Sequence, residues 1–105
     1  MYGCNWYPNV TAVNWWDAVD LIGVSAYFPL SSSTNPSLDE LKNSWYPIME
    51  TLKKTSEKYN KPVVFSEIGY ASYDDAAKSP NNCCYGNNNN NLQKLLFEAF
   101  FETVW

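Results

Sequence analysis

The 105-residue sequence contains no histidine and no arginine. Because arginine is absent and the net charge is −4, the chain lacks the basic face that nucleic-acid binding requires. Because histidine is absent, the commonest general base and the commonest metal ligand are both missing. Acid–base chemistry must therefore come from carboxylates, tyrosines, lysines or cysteines, and we expect no metal ion and no cofactor.

Cysteine is scarce, and the spacing of Cys4, Cys83 and Cys84 matches no zinc pattern. Two interpretations stay open: a disulfide between Cys4 and one of the adjacent pair, or three free thiols. Long apolar runs are also lacking, which predicts no membrane span. The first ten residues lack the basic start and apolar stretch of a signal peptide, so the compartment stays open. A secreted or lysosomal longer parent chain is compatible with this.

Aromatic residues, in contrast, are plentiful at 17% of the sequence. They favour either a surface that stacks on a flat ligand or a bulky aromatic core. Apolar periodicity predicts strands over residues 1–6, 20–28 and 62–66, and helices over residues 37–60 and 92–105. Val63, Val64 and Phe65 are expected to be buried on both faces of their strand.

Local signals refine the first helix and the last loop. Ser37 and Glu40 have the spacing of a capping box, and Pro47 predicts a kink or the start of a second helix. Residues 71–91 are rich in Asp, Asn, Ser and Pro, and their asparagine run predicts a flexible loop. In this loop Asp74 and Asp75 are expected to be solvated.

The element order is strand, strand, helix, strand, helix, which predicts an α/β fold with parallel pairing and right-handed crossovers. The spacing from Tyr27 to Glu67 is close to one strand–helix unit of an eight-fold barrel. A doubly wound sheet is the competing architecture, but its glycine-rich turn after the first strand is absent. We therefore expect residues 1–105 to form a single piece of a (β/α)8 barrel.

Ligands of parallel α/β folds bind at the carboxyl ends of the strands. This rule gathers Asn5, Trp6, Tyr27, Glu67 and Tyr70 into one predicted site. Aromatic rings stack on sugar faces, and a carboxylate there can stabilise or attack an anomeric carbon. A tyrosine hydroxyl beside the carboxylate keeps it ionised. The alternative is that Glu67 only accepts bonds from loop amides.

Two motifs, "FSEIGY" (65–70) and "DLIGVSAYFPLS" (20–31), resemble glycoside hydrolase family 113. This family contains retaining β-1,4-mannanases with an eight-fold barrel. The resemblance covers roughly residues 1–75 and implies barrel strands five to seven with their helices. It matches Glu67 to the catalytic nucleophile and Tyr27 to an aromatic residue that orients it. It implies that Asn5, Trp6 and Tyr70 bind a polysaccharide substrate.

A retaining glycosidase needs two carboxylates about 5–5.5 Å apart. The resemblance places the acid/base glutamate after the fourth strand, whereas this sequence starts near the fifth. We therefore expect a C-terminal fragment of a glycosidase that acts on β-linked polysaccharide, with β-1,4-mannan as the first candidate. Such a fragment has the nucleophile, is inactive alone and needs the remaining barrel for a stable fold. The alternatives are a non-catalytic carbohydrate-binding module and a structural α/β domain.

Overall fold

A computed structural model describes the backbone of residues 2–5, together with residues 13–80 and 86–104. The elements are β1 (Tyr2–Asn5), a 3₁₀ helix (Trp16–Ala18), β2 (Ile22–Ser25), α1 (Leu38–Tyr59), β3 (Val63–Glu67) and α2 (Asn90–Thr103). The predicted order of three strands and two helices is confirmed. Within the described ranges, no helix is long and apolar enough to cross a membrane.

The three strands form one parallel sheet in the order β1-β2-β3. The sheet belongs to the first of two compact units, which consists of residues 1–26 and 48–68. An amide–carbonyl bond from Ile22 to Pro62, 3.0 Å long, lies where β2 begins. The predicted α/β class with parallel pairing is therefore confirmed.

β2 is buried and short. Ile22 and Val24 are fully buried, as the apolar sequence predicted. The strand ends at Ser25 rather than Phe28. The last bond of its ladder runs from the Ala26 amide to the Glu67 carbonyl at 2.7 Å.

The expectation that β3 is buried on both faces is wrong. Val63 and Phe65 are half-buried, whereas Val64 is 39% exposed and Ser66 and Glu67 are exposed. The physical reason is that β3 lies at the edge of the sheet, with β2 on one side only, and that the face carrying Val64 is not covered.

α1 is one continuous helix with Pro47 in its interior. Pro47 has no amide hydrogen and so cannot bond the carbonyl of Asn43, but a second helix does not begin there. At the start of α1 the Ser37 hydroxyl accepts the Glu40 amide at 3.1 Å, as a capping box requires. The second hydrogen bond of a capping box, from the Ser37 amide to the Glu40 carboxylate, does not form. The Glu40 carboxylate instead accepts a hydrogen bond from the Ser31 hydroxyl at 2.6 Å.

The end of α1 is fixed by a left-handed residue. Asn60 has φ +52°, a conformation that asparagine tolerates better than most side chains. The Lys61 amide bonds the Ser56 carbonyl at 3.1 Å, and the Asn60 amide bonds the Glu57 carbonyl at 3.3 Å. This Schellman arrangement satisfies two terminal carbonyls and confirms the predicted helix end at Asn60.

The second unit consists of residues 27–47 and 69–105, and its core is aromatic. Trp45 lies edge-on to Phe28 with ring centroids 5.7 Å apart, and its ring is 5.9 Å from that of Phe100. All three rings are at most 6% exposed. For these residues the core interpretation of the high aromatic content is therefore confirmed.

The loop between β3 and α2 is held by side-chain bonds to its backbone. The Asp74 carboxylate accepts the Asn87 amide and the Asn89 side-chain amide, each at 2.9 Å. Asn89 also caps α2, because its side-chain oxygen accepts a hydrogen bond from the Leu92 amide at 2.9 Å. The helix therefore begins at Asn90, two residues earlier than predicted. Asp74 is thus a structural residue of the loop rather than a solvated one. The flexibility of residues 71–91 stays a prediction.

Gly86 is the glycine on which this loop depends. Its φ is +86°, and a Cβ at this position would lie 2.8 Å from the Asp74 Cβ. We predict that Gly86→Ala lowers the free energy of unfolding by about 1–3 kcal/mol, because both the backbone and the contact become strained. Urea denaturation measures this change.

Gly69→Ala is the matched control, since a Cβ at Gly69 meets no atom within 4 Å. This variant should unfold at nearly the wild-type urea concentration. Equal destabilisation by the two substitutions would contradict the role assigned to Gly86.

Candidate active site

The three parallel strands finish at the same end of the sheet, which we call its carboxyl edge, and their last residues lie side by side. Asn5 at the end of β1 pairs with Ser25 at the end of β2, and Ser25 pairs with Glu67 at the end of β3. Neighbouring strands are about 4.8 Å apart, so the backbones of Asn5 and Glu67 are about 10 Å apart. The sheet therefore brings two of the five predicted site residues to the same carboxyl edge.

Glu67 is the acidic residue at this edge. It is the last residue of β3, and its side chain is exposed. Asp20, in contrast, precedes β2 and so lies toward the amino end of the strands. A carboxylate that is exposed at the carboxyl edge of a parallel sheet is placed where ligands of this fold class bind.

The other predicted site residues are distributed differently. Tyr27 is half-buried and belongs to the second unit, so its contact with Glu67 stays a prediction. Trp6 and the side chain of Asn5 lie outside the described residues. Two neighbouring tryptophans lie outside the predicted site: Trp16 is fully buried, and Trp15 is 42% exposed.

Tyr70 lies in the core of the second unit rather than on a surface. It is 5% exposed, and its ring is edge-on to Phe97 at 5.4 Å between centroids. Its carbonyl accepts the Gln93 side-chain amide at 2.8 Å. Burial raises the pKa of the Tyr70 hydroxyl, which bonds no atom of the described residues. This burial argues against direct contact with a substrate, although the predicted role itself stays untested.

The second unit also has an open cleft of about 290 Å³. Its lining residues are Ser32, Thr34, Asp74, Asp75, Lys78 and Gly86. The Asp75 carboxylate oxygens are buried and bond no atom within the described ranges. The prediction that Asp75 is solvated is therefore wrong, because its carboxylate oxygens are inaccessible to solvent.

The parallel sheet and the carboxylate at its carboxyl edge are features of the α/β hydrolytic enzymes that act on sugars. The model of Glycoside Hydrolase Family 113 matches residues 1–105, and the chain belongs to this family. The family resemblance of the two strand motifs is thereby confirmed.

A solved structure of the same family is similar to the chain over nearly its whole length. It is a β-mannanase of family 113 from Alicyclobacillus acidocaldarius, in complex with ManMIm. The TM-score is 0.76 at 28% identity, and the match covers 97% of this chain. The chain spans 29% of the length of that mannanase. Among curated proteins, no sequence matches this chain.

The buried hydroxyl of Tyr70 predicts a measurable pH dependence. The hydroxyl ionises near pH 10 in the unfolded chain and only at higher pH in the fold. Below pH 10 both states keep the proton, so stability is unaffected. Above it the unfolded chain loses the proton first, and the free energy of unfolding falls as the pH rises.

We predict that the free energy of unfolding of Tyr70→Phe falls less than that of wild type above about pH 10, because the variant has no hydroxyl at position 70 to ionise. Urea denaturation between pH 8 and about pH 11 measures it as the difference between variant and wild type. Tyr46→Phe is the matched control, because Tyr46 is 56% exposed. Parallel pH curves for wild type and Tyr70→Phe would show that Tyr70 is not buried as described.

Proposed function

We propose that the chain forms the nucleophile-bearing part of a (β/α)8 barrel in a retaining glycoside hydrolase. In this proposal β1, β2 and β3 are the fifth, sixth and seventh barrel strands, and the substrate is a β-linked polysaccharide, namely β-1,4-mannan. The observation that supports it most directly is the exposed Glu67 at the carboxyl edge of the sheet, level with Asn5 and Ser25. Family membership and the similarity to a β-mannanase support the choice of reaction and substrate.

In the proposed reaction, Glu67 attacks the anomeric carbon of the sugar and forms a covalent glycosyl–enzyme intermediate. A second carboxylic acid protonates the departing glycosidic oxygen as the bond to the anomeric carbon breaks. The same group, now ionised, then takes a proton from the water that releases the sugar. Two inversions at the anomeric carbon retain its configuration.

In this proposal the second carboxylate comes from outside the carboxyl edge of this sheet. All eleven acidic residues of the sequence fall within the described ranges, and in the first unit Glu67 alone stands at the end of a strand. Glu50 and Glu57 lie on α1, and Asp20 precedes β2. These positions support the proposal that the acid/base residue belongs to barrel strands other than these three.

The remaining predicted residues have proposed supporting roles. The Tyr27 hydroxyl donates to the Glu67 carboxylate, which keeps this group ionised and aimed at the sugar. Asn5 and Trp6 line the substrate groove, where an amide bonds sugar hydroxyls and an indole ring stacks on the sugar face. Tyr70 was predicted to bind substrate, but its burial favours an indirect role in which it supports the loop after β3.

The proposed nucleophile is tested in a chimera, in which residues 1–105 replace the matching part of the Alicyclobacillus acidocaldarius β-mannanase. The chimera should hydrolyse β-1,4-mannan. Glu67→Gln should lower its kcat by at least about 10³-fold, because an amide cannot form the covalent intermediate. Release of reducing sugar measures the rate, and the circular dichroism spectrum checks the fold.

Glu57→Gln in the same chimera is the matched control, because Glu57 is an exposed glutamate on α1. It should leave kcat unchanged. If a folded Glu67→Gln chimera kept wild-type kcat, Glu67 would not be the nucleophile. Mannan binding without hydrolysis by the folded parent chimera would instead favour a non-catalytic carbohydrate-binding role.

The 105-residue polypeptide alone should not hydrolyse β-1,4-mannan, because it provides one of the two carboxylates that the mechanism needs. Incubation of the purified polypeptide with mannan, followed by a reducing-sugar assay, tests this expectation. Hydrolysis that disappears in the Glu67→Gln variant would contradict it, since a complete catalytic pair would then lie within these residues.

A further inference from the structure

The ladder between β2 and β3 contains an irregularity directly beside Glu67. The pairs Ile22–Val63, Gly23–Val64 and Val24–Phe65 follow one another regularly, but Ser25 then pairs with Glu67. Ser66 is left without a partner residue on β2. The bond from the Ala26 amide to the Glu67 carbonyl, 2.7 Å long, fixes this register. β3 therefore has a β-bulge at Ser66, a feature that is common next to active sites.

The bulge changes the face of the sheet to which Glu67 belongs. In a regular strand, residues two apart share a face, so Glu67 would lie on the face of Val63 and Phe65. Residues that pair in a parallel ladder also share a face, and the observed partner of Glu67 is Ser25. Because of the bulge, Glu67 lies on the opposite face of the sheet.

The two faces differ in burial. One face carries Ile22 and Val24, both fully buried, and the half-buried Val63 and Phe65. The other face carries Gly23, which is buried, and Ser25, which is half-buried, on β2. On β3 it carries Val64, which is 39% exposed, and Glu67, which is exposed. We call these the covered face and the open face. The two β2 residues of the open face, Gly23 and Ser25, have small side chains.

We propose that the bulge at Ser66 positions Glu67. While Ser66 is unpaired, Glu67 pairs with Ser25 and lies on the open face, whereas a paired Ser66 would shift the register by one position and place the carboxylate on the covered face. This inference rests on the proposed function for its meaning, because a nucleophile must face the substrate. The role of Ser66 lies in its backbone, so Ser66→Ala should keep the bulge and the orientation of Glu67.

Two variants remove the bulge in opposite ways. Deletion of Ser66 makes the ladder regular and leaves Glu67 opposite Ser25, on the open face. Insertion of one alanine between Val24 and Ser25 also makes the ladder regular, because the new alanine pairs with Ser66. In this ladder Glu67 shares a face with Phe65, which is the covered face. Both ladders lack the bulge, so a merely structural role of Ser66 would affect both variants alike.

The variants are made in the β-mannanase chimera, which supplies the remaining strands. Carbodiimide labelling of its carboxylates, quantified by mass spectrometry, reports the accessibility of Glu67. Glu57, exposed on α1, is the internal reference. We expect the Glu67:Glu57 labelling ratio to match wild type in Ser66→Ala and in the deletion, and to fall severalfold in the insertion. An unchanged ratio in a folded insertion variant, or a reduced ratio in a folded deletion variant, overturns the proposal.

If either variant does not fold, a measurement on the chimera without these changes tests whether the bulge is present. Scalar coupling across the hydrogen bond from the Ala26 amide identifies the carbonyl that accepts it. We expect coupling to the Glu67 carbonyl, whereas coupling to the Ser66 carbonyl would mean a regular ladder and would overturn the proposal. None of these measurements depends on hydrolysis. They therefore separate a failure of the bulge from a failure of Glu67 as the nucleophile.

Discussion

The candidate site depends on the register of the parallel ladder between β2 and β3. Parallel pairing aligns the carboxyl ends of the three strands, and the register then decides which residues end level with one another. In this sheet they are Asn5, Ser25 and Glu67. A shift of one residue would move Glu67 to the covered face without changing any secondary-structure element. The position of the carboxylate is therefore a property of strand pairing, and residues remote from the site contribute to it by stabilising that pairing.

Much of the fold could be predicted from the sequence because its signals are local. The apolar run at Ile22–Ser25 predicted a buried strand, and Ser37 and Asn60 predicted the two ends of α1. The exposure of β3 could not be predicted in this way. Val63, Val64 and Phe65 form an apolar run that is typical of a central strand. The burial of such a run depends on which strands and layers surround it, and sequence composition does not contain that information.

Part of the candidate site could also be predicted from local sequence signals. Strand order and the strand-end rule found Glu67, and the family resemblance assigned it a role that pattern alone left open. Ser66 was missed because a bulge is defined by the partner strand, and nothing in "VVFSE" marks Ser66 as unpaired. Asp74 and Asp75 were misjudged because acidic residues in an asparagine-rich loop usually face water. Asp74 instead organises the loop through Asn87 and Asn89.

The open face of the sheet connects the fold to the proposed chemistry. An apolar Val64 that is 39% exposed is unfavourable in a finished globular surface, where an edge strand is usually covered or charged. In a closed barrel the same face would line the interior, which side chains from the other strands fill. A valine there packs in the barrel, and a glutamate at the upper end of the same face reaches the mouth where substrates bind. In the proposed (β/α)8 barrel, the exposure of Val64 and the exposure of Glu67 have one explanation, since the barrel would enclose the face on which both residues lie.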